Sequence, residues 1–324
     1  MPERNTMKKI QELQQVKGDA YDYYIAGNED TDLFEKIFLV DDIVEEICKP
    51  DKYFLIGEKG SGKTAYSVYM SKSDKINSFC SISLVENTLY QRFLNMKRQK
   101  ALELSSFKDV WINLIYLILA EKIRKEYGET FFSSIKYKQL SKAIDVFYSD
   151  AFKPEFVNAF EFVDNASASI NSMMKQGLFS TGTKASAETS QKYVEQSFQI
   201  SLLKIRDGFE KAFMSVNLKK PTILFVDGID ARPRDIDNEQ YFECLVGLVN
   251  AVLEMNQSFL KEKQIKIMLL IRPDIMYKMP VHNMNQKLRN NSVLLNWVTS
   301  YRKYIDSKLF KIACLLYTSD AADE

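Results

Sequence analysis

The sequence contains little histidine and cysteine, with one histidine and four cysteines among 324 residues. Cys48, Cys80, Cys244 and Cys314 lie far apart and form no CxxC pair. Zinc-binding and disulfide-rich proteins carry these residues at short, regular spacings, so the sequence argues against both classes. Because unpaired cysteines are typical of a reducing compartment, this usage predicts a cytoplasmic protein.

The chain also lacks an excess of either charge, because 44 lysines and arginines are balanced by 43 aspartates and glutamates. A net charge of +1 creates no protein-wide positive field of the kind that holds nucleic acid without regard to its sequence. The charge therefore gives no support for nucleic-acid binding by the whole surface. A balanced total does not exclude a local basic patch.

Long hydrophobic runs are absent as well. The longest, VWINLIYLILA at residues 110–120, contains Asn113 and has about half of the roughly 20 residues that cross a bilayer. The N-terminal segment MPERNTMKKIQELQQ has no apolar stretch of the kind found in signal peptides. These features predict no membrane contact and a buried helix over 110–120.

The last eleven residues, CLLYTSDAADE at 314–324, have an unusual origin. Translated back into codons, they reproduce the adapter used in transposase-based sequencing libraries. We therefore expect a non-native tail there and a natural protein that continues beyond Ala313. Such a tail would carry no information about the fold, in the same way as an expression scar.

A glycine-rich motif occupies residues 57–64, where GEKGSGKT matches the pattern G-x-x-x-x-G-K-[ST] in full. Glycines let the backbone curl so that successive N–H groups point at phosphate oxygens, and the following helix adds the positive end of its dipole. Lys63 is predicted to bridge the β- and γ-phosphates, and the Thr64 hydroxyl to bind Mg²⁺. The predicted nucleotide-binding residues are Gly57, Glu58, Lys59, Gly60, Ser61, Gly62, Lys63, Thr64 and Ala65. The alternative is a glycine-rich turn without a ligand.

Two aspartates follow an apolar strand in the segment TILFVDGID, residues 222–230. Asp227 comes directly after ILFV, where P-loop enzymes hold Mg²⁺. Asp230 follows three residues later, where a carboxylate can orient or deprotonate the attacking water, so it is the predicted catalytic base. Because aspartate also serves turns, the alternative for Asp230 is a turn residue in a glycine-containing loop.

Arg272 ends the apolar run IKIMLLI at residues 265–271. Its side chain is predicted to reach the sheet edge where ligands bind in open α/β folds. A guanidinium there can sense the γ-phosphate or stabilise charge in the transition state. The alternative is a structural salt bridge to Asp274 or Asp230.

Strands are predicted over residues 53–56, 76–84, 222–227 and 265–271. Three of these runs are continuously apolar rather than alternating, which is typical of parallel strands covered by helices on both faces. The predicted fold class is therefore α/β. We expect a P-loop NTPase with three α/β/α layers, a mainly parallel sheet and a large helical insertion.

Helical periodicity and capping signals divide the rest of the chain. Helices are predicted over 33–47, with Asp32 as the cap, and over 238–261, with Tyr241 on the apolar face. The helical insertion covers about 85–217 and includes a mobile loop at about 165–190, which is rich in Ser, Thr, Ala and Gly. The predicted regions are a helical lead-in at 1–30, the main domain at 31–313 and the tail at 314–324.

The segments GEKGSGKTA, FVDGIDARP, LLIRPDI and NMNQKLRNNSVLLNW together resemble a largely uncharacterised family of bacterial P-loop ATPases, related to the AAA and STAND types. The resemblance implies ATP and Mg²⁺ as ligands, with Thr64 and Asp227 on the metal and Lys63, Asp230 and Arg272 in catalysis. It also implies that the 265–271 strand lies between the P-loop strand and the Asp227 strand. The chain departs from the related DGxDE pattern, because Ala231 occupies the position of the glutamate.

The leading functional hypothesis is an ATP-hydrolysing switch that acts on a protein effector or within a homo-oligomer. By family analogy alone, the process would be bacterial defence, stress or DNA-related. The alternatives are a nucleotide-gated binding module without turnover, a small-molecule kinase and a DNA-acting motor. No NKxD-type guanine motif follows a predicted strand, which agrees weakly with ATP as the ligand.

Overall fold

The computed structural model describes residues 17–25, 28–85, 107–132, 137–150, 202–230, 238–279, 288–296, 305 and 307–318. Its centre is a five-stranded parallel sheet in the order β2-β3-β4-β1-β5. The strands are β1 (Phe54–Gly57), β2 (Phe79–Leu84), β3 (Thr222–Asp227), β4 (Ile265–Ile271) and β5 (Ser292–Leu295). The predicted α/β class with a parallel sheet is therefore confirmed.

The strand β4 lies between β1 and β3 and pairs with both. Ile56 of β1 is in register with Ile271, and Val226 of β3 is in register with Leu269. This confirms the strand order that the family resemblance implied. The three strands β1, β3 and β4 are buried along their whole length, which explains why their sequences are continuously apolar.

The strand β5 was not predicted from the sequence. It has four residues, pairs with β1 at the edge of the sheet, and exposes Leu294. A run of four residues between polar neighbours is too short to show a period, so its assignment depends on the pairing with β1.

Helices cover both faces of the sheet, and they are numbered here in chain order. They are α1 (Ala20–Ile25), α2 (Asn28–Ile37), α3 (Asp42–Cys48), α4 (Lys63–Lys72), α5 (Phe107–Phe132), α6 (Lys138–Asp150), α7 (202–215), α8 (Asn238–Gln257), α9 (Pro273–Lys278) and α10 (Lys308–Thr318). The loop predicted at 165–190 lies outside the described residues.

Side chains that alternate along each strand enter two separate cores. Phe54 and Ile56 of β1 pack in the core formed with α5 and α8, whereas Leu55 packs in the core formed with α3 and α4. Burying apolar side chains on both faces is the main source of stability for such a sheet. The described residues thus form three layers, helix on sheet on helix.

The two longest predicted apolar helices are present. All residues from 110 to 120 are buried within α5, and the predicted apolar face of α8 is buried as well. The two helices pack together, and Trp111 Nε1 of α5 donates to the carbonyl oxygen of Cys244 on α8 at 3.1 Å. None of the helices in the described ranges has both the length and the apolar content needed to cross a membrane.

The single helix predicted over 33–47 is wrong, because the chain forms two helices there. The helix α2 begins at Asn28, so Asp32 lies inside it rather than at its cap, and α2 ends at Ile37. Asp41 starts α3 by accepting a hydrogen bond from the N–H of Ile43 at 3.2 Å. The same carboxylate also accepts hydrogen bonds from Tyr66 and Lys308. The interruption between α2 and α3 therefore depends on residues that are distant in the sequence.

A buried lysine lies at the start of β4. Lys266 donates to the carbonyl oxygens of Ile47 and, at 2.9 Å, of Lys49, both at the C-terminal end of α3. These are the carbonyl groups that a helix end leaves without partners inside the helix. Burial lowers the pKa of Lys266 from 10.5 to about 8, because removing an ammonium from water disfavours its charged form.

We expect the stability of the protein to rise between about pH 8 and pH 10.5 through Lys266. The folded state loses the Lys266 proton before the unfolded state does, so the unfolded state binds more protons across this window. The free energy of unfolding should rise by at most about 1.4 kcal/mol per pH unit through this lysine. Below about pH 8 the cost of burying the charged Lys266 ammonium is present in full. Urea unfolding at several pH values measures the slope.

The matched variants for this prediction are Lys266→Met and Lys261→Met. Lys261 is exposed, so its replacement should keep the wild-type pH dependence. Lys266→Met should lack the increase in stability between about pH 8 and pH 10.5 that comes from Lys266. Equal slopes in Lys266→Met and the wild type would show that burial does not shift this titration.

Candidate functional site

The glycine-rich motif forms the loop between β1 and α4. The strand β1 ends at Gly57, and α4 begins at Lys63, which is the predicted strand–loop–helix context of the motif. Gly60 and Gly62 have φ angles of 79° and 89°, a left-handed conformation that residues with a side chain adopt only under strain. The loop thus requires glycine at these two positions.

The side chain of Lys63 is buried within the loop, with only 7% of the residue exposed. Its Nζ donates to the carbonyl oxygen of Gly57 at 2.9 Å and to that of Glu58 at 3.3 Å. It also lies 3.8 Å from Oδ2 of Asp230. The ammonium group is therefore held at the centre of the loop and next to the predicted catalytic carboxylate.

The two predicted metal ligands are in direct contact. Thr64 Oγ1 donates to Asp227 Oδ2 at 2.7 Å, although the residues are 163 positions apart in the sequence. The other oxygen of Asp227 accepts from the N–H of Gly228 at 2.7 Å. A hydroxyl beside a carboxylate fits Mg²⁺, which takes oxygen ligands and commonly binds through one or two protein groups plus phosphates.

No group of three or more His, Cys, Asp or Glu side chains suited to a metal ion occurs in the described ranges. The residues predicted to hold Mg²⁺ are Thr64 and Asp227. Their hydrogen bond positions both oxygen atoms at the same edge of the sheet.

Gly228 makes the turn after Asp227 and could not be replaced without strain. Its φ angle is 85°, and a Cβ atom on it would lie 2.8 Å from the carbonyl oxygen of Val85. The N–H of Val85 donates to the carbonyl oxygen of Asp227 at 2.7 Å. The close approach of these two segments fixes the backbone on which Asp227 stands.

Asp230 is largely buried beside Lys63, with 25% of its side chain exposed. Burial raises its pKa to about 6, against the opposing effect of Lys63, and the nearby Asp227 raises it further. Its Oδ1 atom is buried without a hydrogen-bond partner among the described residues. An under-bonded carboxylate with a raised pKa is the state expected of a general base.

Arg272 forms the salt bridge that was the alternative to a catalytic role. Its Nε and Nη2 atoms donate to the two carboxylate oxygens of Asp274 at 3.0 Å and 2.9 Å. The positive charge of Arg272 lowers the pKa of the Asp230 carboxyl. Arg272 is thus brought to the site, with its side chain paired to Asp274.

The sheet topology explains why these groups meet. The helix α4, which follows β1 in the chain, packs on one face of the sheet. The helix α9, which follows β4, packs on the other face. Between adjacent parallel strands whose connections leave on opposite faces, a crevice opens at the carboxyl ends of the strands. The loop after β1 and Arg272 after β4 border this crevice.

One supporting residue was not predicted to act at the site. Tyr241 was expected only to pack in the core, and it is buried, but its hydroxyl also donates to the carbonyl oxygen of Ile229 at 2.6 Å. This bond anchors the residue next to Asp230. No sequence signal distinguishes it, because a buried tyrosine hydroxyl usually has a hydrogen-bond partner and the sequence does not show which group that partner is.

Comparison with protein-family models, with curated proteins and with solved structures gave no match to this chain. The candidate site is therefore defined by its own geometry, in which Lys63, Thr64, Asp227, Asp230 and Arg272 converge at one edge of the sheet.

Proposed function

We propose that the protein binds ATP with Mg²⁺ at this crevice and hydrolyses it. The observation that carries the proposal is the contact of Thr64 with Asp227, next to the approach of Lys63 to Asp230. A glycine-rich loop alone would explain binding of a phosphate. The addition of two carboxylates at the same edge supplies groups for a metal ion and for water activation.

Each group would have a separate role. The loop N–H groups and Lys63 would bind the phosphates, with Lys63 exchanging its bonds to the Gly57 and Glu58 carbonyls for phosphate oxygens. Thr64 and Asp227 would hold Mg²⁺, which when bound neutralises charge on the phosphates. Positioning and charge stabilisation are the main requirements of this reaction.

Asp230 would accept the proton of the attacking water or orient that water. A carboxylate with a pKa near 6 is a stronger base than an ordinary aspartate and is still ionised at neutral pH. Arg272 lies beside it, and release of its guanidinium from Asp274 would allow contact with the γ-phosphate. Such an exchange of ion pairs is a simple way to couple the nucleotide to a partner protein.

A binding module without turnover is the second candidate. Two observations favour it: Ala231 occupies the position of the glutamate in the DGxDE pattern, and the Arg272 side chain is engaged by Asp274. In that case ATP would only order the loops around the crevice. Release of ADP by the purified protein distinguishes the candidates, because a pure binding module produces none.

The assignment of Thr64 to the metal predicts a specific effect of Thr64→Ala. In the wild type, Mg²⁺ should increase ATP affinity, and Thr64→Ala should remove most of that increase while retaining metal-free binding. The reason is that the variant loses one metal ligand but none of the phosphate-binding groups. Titration calorimetry with ATP, in the presence of Mg²⁺ or of a chelator, measures both affinities.

Ser71→Ala is the matched control, because it deletes a hydroxyl from the same helix at its other end. Ser71 Oγ donates to the carbonyl oxygen of Ser67, away from the loop. If Mg²⁺ increases the ATP affinity of Thr64→Ala as much as that of the wild type, Thr64 is not a ligand of the metal.

A further inference from the structure

A second cavity, of about 740 Å³, lies at the amino edge of the sheet. It is lined by α1, the end of α4, the start of β2, the last turns of α5 and the segment before β3. The candidate nucleotide site lies at the carboxyl edge, about 20 Å away by the length of a six-residue strand. The two sites are thus separate in space.

Positive charge is concentrated in this cavity. Its lining contains two acidic residues, Asp74 and Glu126, and a larger group of lysines, which are Lys72, Lys122, Lys125, Lys219 and Lys220. The chain as a whole has nearly equal numbers of basic and acidic residues, so this excess is local. Lysines gathered around a concave surface raise the local concentration of anions.

Aromatic rings lie among these lysines. The rings of Tyr21 and Tyr24 are 5.5 Å apart, and Phe79 contacts Tyr127 edge to face at 6.2 Å. The Nζ atom of Lys72 lies over the Tyr24 ring at 5.7 Å. All four rings are partly exposed, so each offers a surface to a planar ligand.

We propose that this cavity binds single-stranded nucleic acid. Proteins that bind single strands combine a basic groove for the phosphates with aromatic side chains on which the bases stack, and both elements are present here. A cavity also suits a flexible strand better than a duplex or a membrane surface, since only the flexible strand can follow a concave wall. The lysines would contact phosphates, and Tyr21 and Tyr127 would stack with bases.

The test is binding of a short fluorescein-labelled poly-dT oligonucleotide at low salt, followed by fluorescence anisotropy. The double variant Lys219→Glu/Lys220→Glu should weaken binding about tenfold or more and flatten its dependence on salt, because fewer phosphates are neutralised. Both lysines are exposed and precede β3, so the fold should be kept. Lys63→Ala, at the other end of α4, should bind the oligonucleotide as the wild type does.

The matched control is Lys36→Glu/Lys204→Glu, which changes the net charge equally at two exposed lysines outside the cavity. It should weaken binding about twofold or less, since only the general field changes. Tyr21→Leu should weaken binding about fivefold, and Tyr21→Phe should restore it, because the ring rather than the hydroxyl stacks.

Several outcomes would overturn the proposal. These are no binding by the wild type at low salt, equal weakening by both double variants, or equal affinity for a duplex of the same length. Binding of free dTMP as tightly as the oligonucleotide would assign the cavity to a small nucleotide instead. Co-sedimentation with anionic lipid vesicles through Lys219 and Lys220, without oligonucleotide binding, would assign it to a membrane surface.

Discussion

Asp230→Asn is expected to lower the rate of ATP hydrolysis by about 100- to 10,000-fold, the range typical of losing a general base. ATP affinity should change little, because Lys63, Thr64 and Asp227 keep their positions. Asparagine has nearly the shape of aspartate and cannot accept a proton at neutral pH. Phosphate release under saturating ATP and Mg²⁺ measures the rate, and calorimetry measures the affinity.

The same variant should be at least as stable as the wild type. The folded-state pKa of Asp230 is raised by burial, so the ionised carboxylate destabilises the folded state at pH values above that pKa. The uncharged amide removes this penalty. A loss of turnover together with an unchanged or higher free energy of unfolding would identify a group kept for chemistry rather than for folding.

Asp145→Asn is the matched control, because Asp145 is an exposed carboxylate on α6. Its rate should equal that of the wild type. If Asp230→Asn also hydrolyses ATP at the wild-type rate, Asp230 is a turn residue. If neither Asp230→Asn nor the wild type releases ADP, the binding-module alternative is correct.

Lys63→Ala is expected to weaken ATP binding by about 10- to 100-fold, which is the usual effect of losing hydrogen bonds to a charged group. Lys63 is the only side chain of the loop with a positive charge buried at its centre. Its removal leaves the backbone N–H groups as the remaining phosphate donors. Calorimetry with a non-hydrolysable ATP analogue measures binding apart from turnover.

Lys36→Ala provides the control for a lost positive charge, since Lys36 is exposed on α2. It should bind the analogue as tightly as the wild type. Thermal unfolding of Lys63→Ala shows whether the loop and fold persist. A folded Lys63→Ala variant with wild-type affinity would refute the phosphate-binding role of the loop and with it the proposed function.

The main elements of the fold could be predicted from the sequence, because their signals are local. Continuous apolar runs predicted β1, β3, β4 and the buried helix α5, and helical periodicity predicted α8. The glycine-rich loop could also be located, since its residues are contiguous and its chemistry depends on backbone shape. The proximity of Thr64 to Asp227 was implied by their shared role as predicted Mg²⁺ ligands, and it agrees with the rule that the carboxyl ends of parallel strands share one edge.

Other features depended on partners far away in the sequence. The break between α2 and α3 relies on Asp41 meeting Tyr66 and Lys308, and β5 exists because β1 offers a free edge for pairing. The sequence allowed either a catalytic role or a structural salt bridge for Arg272. In the structure its guanidinium group contacts Asp274. None of these outcomes is encoded in a short window.

The clustering of lysines in the basic cavity could not be predicted from the sequence either. Lys72, Lys125 and Lys219 belong to different elements, and a balanced total of charges hides their proximity. Sequence patterns report which side of one element is apolar and which loop can curl around a phosphate. They do not report which charged and aromatic groups face one another, because electrostatic and stacking contacts depend on distance in space rather than along the chain.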